Sequence, residues 1–190
     1  MNWSPIARRI RVPLGFLLAV VYVWLARPVI WSILAGFVVS VVGLGMRAFA
    51  SGYVRKNEDL ATTGPYAYVR NPLYLGSIVI AAGFALAARS WVIAAILLLM
   101  FLAIYLPVIR GEEKFLRQRF PEFAEYERRV PRLWPRLLSS SGASESFTSG
   151  SSARGSFSGA LYRQHREYNA LAGTLAIVAI LAAKLWWLSR

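Results

Sequence analysis

The sequence predicts an all-α integral membrane protein with about five transmembrane helices and short cytoplasmic helices beside them. Three observations carry that prediction. The 190-residue chain is 57% hydrophobic, more apolar than a soluble domain, whose apolar usage is nearer half. Its apolar residues gather into five blocks, at 12–26, 29–50, 73–88, 91–109 and 170–188. Basic residues flank those blocks and bring the formal net charge to +13. In so apolar a chain, that charge points to membrane lipid headgroups and to orientation of the spans, not to nucleic acid. At this length one domain is expected.

A bilayer core of about 30 Å takes roughly 20 helical residues, with a lower limit near 17. The second, fourth and fifth blocks meet that length. The first and third are shorter and are joined to their successors through Arg27-Pro28 and Arg89-Ser90. Such tight junctions read as helical hairpins whose charged residue snorkels to the far headgroups, with a re-entrant pair as the competing geometry. Arg8, Arg9 and Arg11 precede the first block as in a signal peptide. No small-residue cleavage site follows Ala26, however, and Ala48-Phe49-Ala50 comes only after a second apolar block, so the first block is expected to remain.

If all five blocks cross and the N-terminus is cytoplasmic, residues 1–11, 47–72 and 110–169 share one side. Every acidic residue lies there, and so does every Lys and Arg except Arg27, Arg89, Lys184 and Arg190. This distribution obeys the positive-inside rule. The expectation is an inner-membrane protein with its N-terminus and active site on the cytoplasmic face.

Residues 110–136 continue the fourth block as a polar extension of a core spanning 1–138. Glu112 and Glu113 would oppose the helix dipole if the helix stopped there, so it is expected to run to about Gln118. Pro121 then opens a short helix, with Glu122 near its start and Arg128 and Arg129 near its end. Phe123, Tyr126 and Val130 recur on one face of it, which is expected to lie on the membrane or the bundle. A Ser/Gly-rich linker at 139–160 delivers a C-terminal transmembrane helix at 161–190. Its alanines at 172, 176, 179 and 183 suit helix packing, and Trp186-Trp187 suits an interfacial anchor. There is no cysteine, and one histidine, His165, cannot build a zinc site; no metal is expected.

Three stretches can carry chemistry. Residues 64–76 read GPYAYVRNPLYLG. Its prolines and tyrosines are explained equally by a turn with an interfacial aromatic belt and by a backbone that holds Arg70 and Asn71 at the mouth of the bundle. Glu112 and Glu113 abut the fourth span. Adjacent helical residues point about 100° apart, so one is expected to meet a ligand and the other an arginine. Gly43-Leu44-Gly45 sits in the second span, where small residues let backbones approach.

In this order, the glycine pair, G-P-Y-x-Y-x-R-x-P-x-Y-x-G, the E-E pair and R-V-P resemble the membrane methyltransferases that include isoprenylcysteine carboxyl methyltransferase and phosphatidylethanolamine N-methyltransferase. The resemblance covers roughly residues 40–136. Membrane sterol reductases share an R-x-P-x-Y segment. The resemblance implies S-adenosylmethionine at the cytoplasmic ends of the spans, held by Tyr68, Arg70, Asn71, Pro72, Tyr74, Leu75, Gly76, Glu112, Glu113, Gly43 and Gly45. It also places Arg129 near the reacting group. Most members have His where this chain has Asn71, which hydrogen-bonds but does not titrate.

Methyl transfer from a sulfonium needs mainly alignment and exclusion of water. A carboxylate acceptor would be clamped by Arg129, whereas an amine would first lose a proton to Glu122 or Glu125. The expected acceptor is a lipophilic small molecule or lipid. The rival readings are an NADPH-dependent membrane reductase and a non-enzymatic helical membrane protein.

Overall fold

The computed structural model describes residues 15–54, 59–135 and 157–190, and the secondary structure within them is helical throughout. The five apolar blocks form α1 (Gly15–Leu25), α2 (Ile30–Ser51), α3 (Pro72–Ala88), α4 (Trp91–Arg119) and, near the C-terminus, α7 (Tyr168–Leu188). Two short helices, α5 (Phe123–Arg129) and α6 (Gly159–Gln164), lie between α4 and α7. Helices α2, α4 and α7 are long and apolar enough to cross a membrane; α1 and α3 are shorter. Large apolar side chains such as Trp24, Trp31, Val38 and Trp91 point outward, as they do where lipid is the solvent.

The two predicted hairpin junctions lie side by side. Arg27 donates its backbone N–H to the Ala88 carbonyl at 2.9 Å, and the Ser32 hydroxyl donates to the Ala87 carbonyl at 3.1 Å. Ser90 caps α4 by accepting from the Ile93 N–H, which satisfies one of the orphan donors at a helix start. The C-terminal part of α7 reaches this same end. There Lys184 Nζ donates to the carbonyls of Val23, Trp24 and Ala26 at 2.6, 3.2 and 2.7 Å. At the opposite end, the C-terminus of α2, the N-terminus of α3, the polar extension of α4 and the N-terminus of α7 come together.

Helices α2 and α3 run antiparallel in close contact. A Cβ on Gly36 would stand 2.4 Å from the Gly83 carbonyl oxygen, and one on Gly43 would stand 2.7 Å from the Gly76 carbonyl oxygen. Only glycine permits that approach, and in a membrane such small-residue seams supply the van der Waals contact that holds helices together.

Helix α4 continues to Arg119, one residue past the predicted end. Pro107 within it has no N–H to give to the carbonyl four residues back. The turn before it, Phe101–Tyr105, is π-helical, with Leu106 N–H bonded to the Phe101 carbonyl; such a wide turn accommodates the ring without ending the helix.

Helix α5 begins at Phe123, with Pro121 in the turn before it. Its apolar face packs on the bundle, Phe123, Tyr126 and Val130 clustering with Leu60, Leu116 and Phe120.

The segment at 161–190 is two helices. A turn at residues 165–167, where Arg166 adopts a left-handed φ of 53°, separates α6 from α7. Most of the Ser/Gly-rich linker lies outside the described residues. Its last part, Phe157 and Ser158, returns to the bundle: Phe157 stacks on Phe49 and Ser158 N–H donates to the Gly52 carbonyl at 3.0 Å.

Candidate functional site

The loop into α3 is held from three directions. Gly64 takes a φ of +58°, and a Cβ there would meet the Tyr53 ring at 2.6 Å, so both the backbone and the space require glycine. Pro65 sits in the first turn of a 3-10 helix, Gly64–Ala67. The Tyr126 hydroxyl on α5 donates to the Tyr66 carbonyl at 2.7 Å, and Arg70 N–H donates to the Pro131 carbonyl at 2.9 Å. Asn71 then occupies the N-cap of α3, with Pro72 at the first helical position, where its missing N–H costs nothing.

This fixed loop meets the polar end of α4 in a buried cluster of charges. Glu113 is only 4% exposed. It accepts from Arg132 Nε at 3.1 and 2.9 Å and from Arg132 Nη2 at 2.6 Å. Asn71 Nδ2 donates to it at 3.1 Å and to the Arg132 carbonyl at 3.2 Å. Arg70, whose side chain is 9% exposed, lies 3.6 Å from Glu113 and donates to Glu127 at 2.8 Å. Arg117 also pairs with Glu127. A buried carboxylate is tolerable only when paired and hydrogen-bonded in this way. One donor is left over: Arg70 Nε is buried and has no hydrogen-bond partner among the described residues.

The charges shift their neighbours. The Arg117 hydrogen bond, with Arg70 behind it, holds the Glu127 carboxyl below the usual carboxylate range against the opposing effect of burial. Hydrogen bonds to Glu113 push the Arg132 guanidinium up. Burial raises the Tyr66 hydroxyl most, and the carboxylates of Glu112 and Glu167 raise it further while Arg47 opposes them. Tyr66 thus feels both Glu112 of the E-E pair and a second ion pair, in which Arg47 Nε and Nη2 each lie 2.9 Å from a Glu167 oxygen.

Arg70, Asn71 and Glu113 are brought together. Of the E-E pair, it is Glu113 that takes the arginine, while Glu112 is half-buried. Tyr74 packs edge-on against Tyr105, from the π-helical turn of α4. Pro72 is buried and Leu75 half-buried, while Tyr68 is exposed. Gly76 and Gly43 face each other in the α2–α3 seam, whereas Gly45 has nothing within 4 Å of where a Cβ would stand. On α5, Arg129 pairs with Glu125, and Glu122 and Glu125 are exposed.

Arg132, Glu127 and the Arg47–Glu167 pair were not among the predicted site residues. Arg132 follows directly on the R-V-P motif, which was its one signal. Arg47 and Glu167 are 120 residues apart and carried none.

An apolar cavity of about 700 Å³ lies among α1, α3, α4 and α7; Arg47, Ser77 and Tyr105 also line it, and Tyr105 packs on Tyr74 just past the site loop. Its size is that of a small-molecule site.

A family model described as phospholipid methyltransferase matches residues 10–122, more than half of the chain and all of α1 to α4. The chain belongs to the phospholipid methyltransferase family. The match bears out the resemblance to membrane methyltransferases and places the loop into α3 and the E-E pair inside the family region. The Arg132 end of the cluster, α5 beyond its N-cap and the whole of α7 lie past that region.

Among curated relatives of this family member, the chain is 46% identical over 83 residues, 44% of its length, to the cobalt-zinc-cadmium resistance protein CzcN of Cupriavidus metallidurans. It is 39% identical over 115 residues, 60% of its length, to the nickel-cobalt-cadmium resistance protein NccN of Alcaligenes xylosoxydans xylosoxydans. Those matches cover only 38% and 53% of the relatives' own lengths. No solved structure matches.

Proposed function

We propose that the protein transfers a methyl group from S-adenosylmethionine to a lipophilic acceptor at the cytoplasmic face of the inner membrane. What supports this most is the cluster in which Arg70 and Asn71, at the start of α3, share Glu113 with Arg132. It is a buried, preorganised charge site at the end of a family methyltransferase region. The residues present suit the cofactor. The buried Arg70 Nε has no acceptor among the described residues, and a ligand carboxylate would supply one. The buried Glu113 already stabilises a cation in the form of the half-exposed Arg132, and Glu112 beside it is the second carboxylate available to an ammonium or sulfonium.

When bound, the cofactor supplies a methyl group already activated by its sulfonium. The chain's own residues orient and exclude water: Tyr74 and Tyr105 cover the apolar side, and the loop pinned by Tyr126 and Pro131 fixes Arg70 and Asn71. Asn71 donates a hydrogen bond and moves no proton. Arg129 is the group to clamp an acceptor carboxylate, with Glu125 holding its guanidinium; for an amine acceptor, Glu122 and Glu125 on the same helix are the bases.

Calorimetry on the purified protein should show binding of S-adenosylhomocysteine and none of NADPH; the reverse would turn the reading toward a reductase. Arg129→Ala should lower turnover by roughly 100-fold, as loss of one charge-stabilising donor does, while leaving cofactor affinity near that of the wild type. Equal loss of both, or of neither, would remove Arg129 from the reaction.

The names of the two relatives favour metal resistance as a setting. The chain has no cysteine and a single histidine, and no group of three or more His, Cys, Asp or Glu side chains is placed to hold a metal among the described residues. In that setting its contribution would be to alter a membrane molecule by methylation.

A further inference from the structure

Helix α7 lies wholly beyond the residues that carry the family match, and it is held on the bundle in an unusual way. Only 11% of its apolar window is buried, too little for packing alone to fix it. Charged ties secure it at both ends instead. Glu167, just before its first turn, is gripped by Arg47 of α2 through two bonds of 2.9 Å. Near its other end, Lys184 caps the final carbonyls of α1. In a bilayer, such polar contacts are costly to leave unmade, so they set where the helix stands.

Between the two ties, α7 stands over the apolar cavity. Ala170, Gly173, Thr174 and Ile177 line it, the i, i+3, i+4 and i+7 positions of one helical face. Leu171 and Leu175 are exposed on another. The polar residues along the wall are already engaged: the Tyr22 hydroxyl bonds to the Phe84 carbonyl, and Thr174 Oγ1 bonds to its own helix at Ala170. What the cavity offers is therefore apolar along its length. Arg47, Ser77 and Tyr105 also line it, and Tyr105 packs on Tyr74, one helical turn from Asn71. An amphiphile with its chain in the cavity would place its head at the charge cluster.

We propose that this cavity holds the aliphatic chain of the methyl acceptor and that α7 is the wall that determines which chain fits, with Gly173 leaving the room. The identity of the occupant as acceptor rests on the proposed function; the chain site rests on the cavity and on α7. A Cβ at Gly173 meets nothing within 4 Å, so a larger side chain there enters the cavity without disturbing the packing.

The test is photolabelling of the full-length protein in lipid nanodiscs with a long-chain fatty acid carrying a terminal diazirine, followed by peptide mapping. Label is expected on residues 170–177 of α7 and on α3. Gly173→Leu should reduce it about tenfold with the calorimetric affinity for S-adenosylhomocysteine unchanged, whereas Leu175→Trp on the exposed face should leave it as in the wild type. If Gly173→Leu does not fold, Ile177→Ala replaces it and should raise labelling. Labelling indifferent to Gly173→Leu, or lost equally in Leu175→Trp, would overturn the wall. Label on this face of a protein that binds no S-adenosylhomocysteine would overturn the methyltransferase reading and leave the chain site standing.

Discussion

The α2–α3 seam and the α7 flank of the same bundle are assembled by different means. In the seam, glycines meet backbone to backbone at Gly36–Gly83 and Gly43–Gly76, and the loop that leaves it ends in a buried cluster around Glu113. In the flank, α7 is tied by Arg47–Glu167 and Lys184 and borders the apolar cavity between those ties. Close packing gives one arrangement and low compressibility, which suits residues that must hold charges at fixed distances. Charged ties at two ends fix a helix while leaving its middle free to border a ligand. The rigid side is where a cofactor would be aligned, and the open side is where a variable chain would be accommodated.

Removing the charge at the centre of the rigid side is the most forceful way to break this contrast. Glu113→Ala deprives the Arg132 fork of its acceptor and the buried Arg70 of a counter-ion 3.6 Å away. It is expected to cost roughly 3–5 kcal/mol, as removal of one partner from a buried ion pair does, in detergent unfolding measurements. It should also abolish S-adenosylhomocysteine binding. A variant as stable as the wild type would mean that the cluster does not anchor the loop.

The seam itself is tested by two glycines in one short motif. Gly43→Ala forces a methyl group against the Gly76 carbonyl and is expected to lower stability by about 1–3 kcal/mol, the usual cost of overpacking. Gly45→Ala meets nothing and should be neutral or gain up to about 1 kcal/mol from helix propensity. Thermal unfolding of the two side by side would sharpen the comparison. Equal effects would show that the seam can yield.

The smallest effect is expected at the edge of the cluster and depends on pH. Glu127 has its folded-state carboxyl held low, first by Arg117. The stability it contributes is therefore present above the ordinary carboxylate range and lost as pH falls through the lowered folded value. Glu127→Gln should be less stable than the wild type at neutral pH by under about 1 kcal/mol, since Arg117 is largely exposed. The two proteins should converge in acid. A constant gap across pH would assign the contribution to packing instead of charge.

Much of this molecule was legible from order and type of residue. The five apolar blocks became helices because hydrophobic length and the need to satisfy every backbone group in lipid leave few alternatives. Helix α4 ran past its apolar part as the acids at 112 and 113 required. GPYAYVRNPLYLG and the E-E pair stood out because proline, glycine and charge have local meanings that survive without coordinates, and Arg70, Asn71 and Glu113 do meet in the fold. The break at 165–167 was hidden because nothing local to His165, Arg166 and Glu167 stops a helix. Arg166 turns left-handed where Glu167 finds Arg47.

The sequence alone therefore determined the membrane class, the helical elements and the segments that bear charge, since each follows from residues near one another in the chain. Tertiary structure decided which of two adjacent glutamates is buried, which glycine of a pair carries the seam, and that Arg132 closes the cluster. It also made the last helix the wall of a cavity. These depend on facing directions and on partners tens of residues away, such as Glu113 with Arg132 and Arg47 with Glu167. A rotation of about 100° per helical residue turns neighbours in sequence toward different surroundings, and only the packed bundle shows which ones they meet.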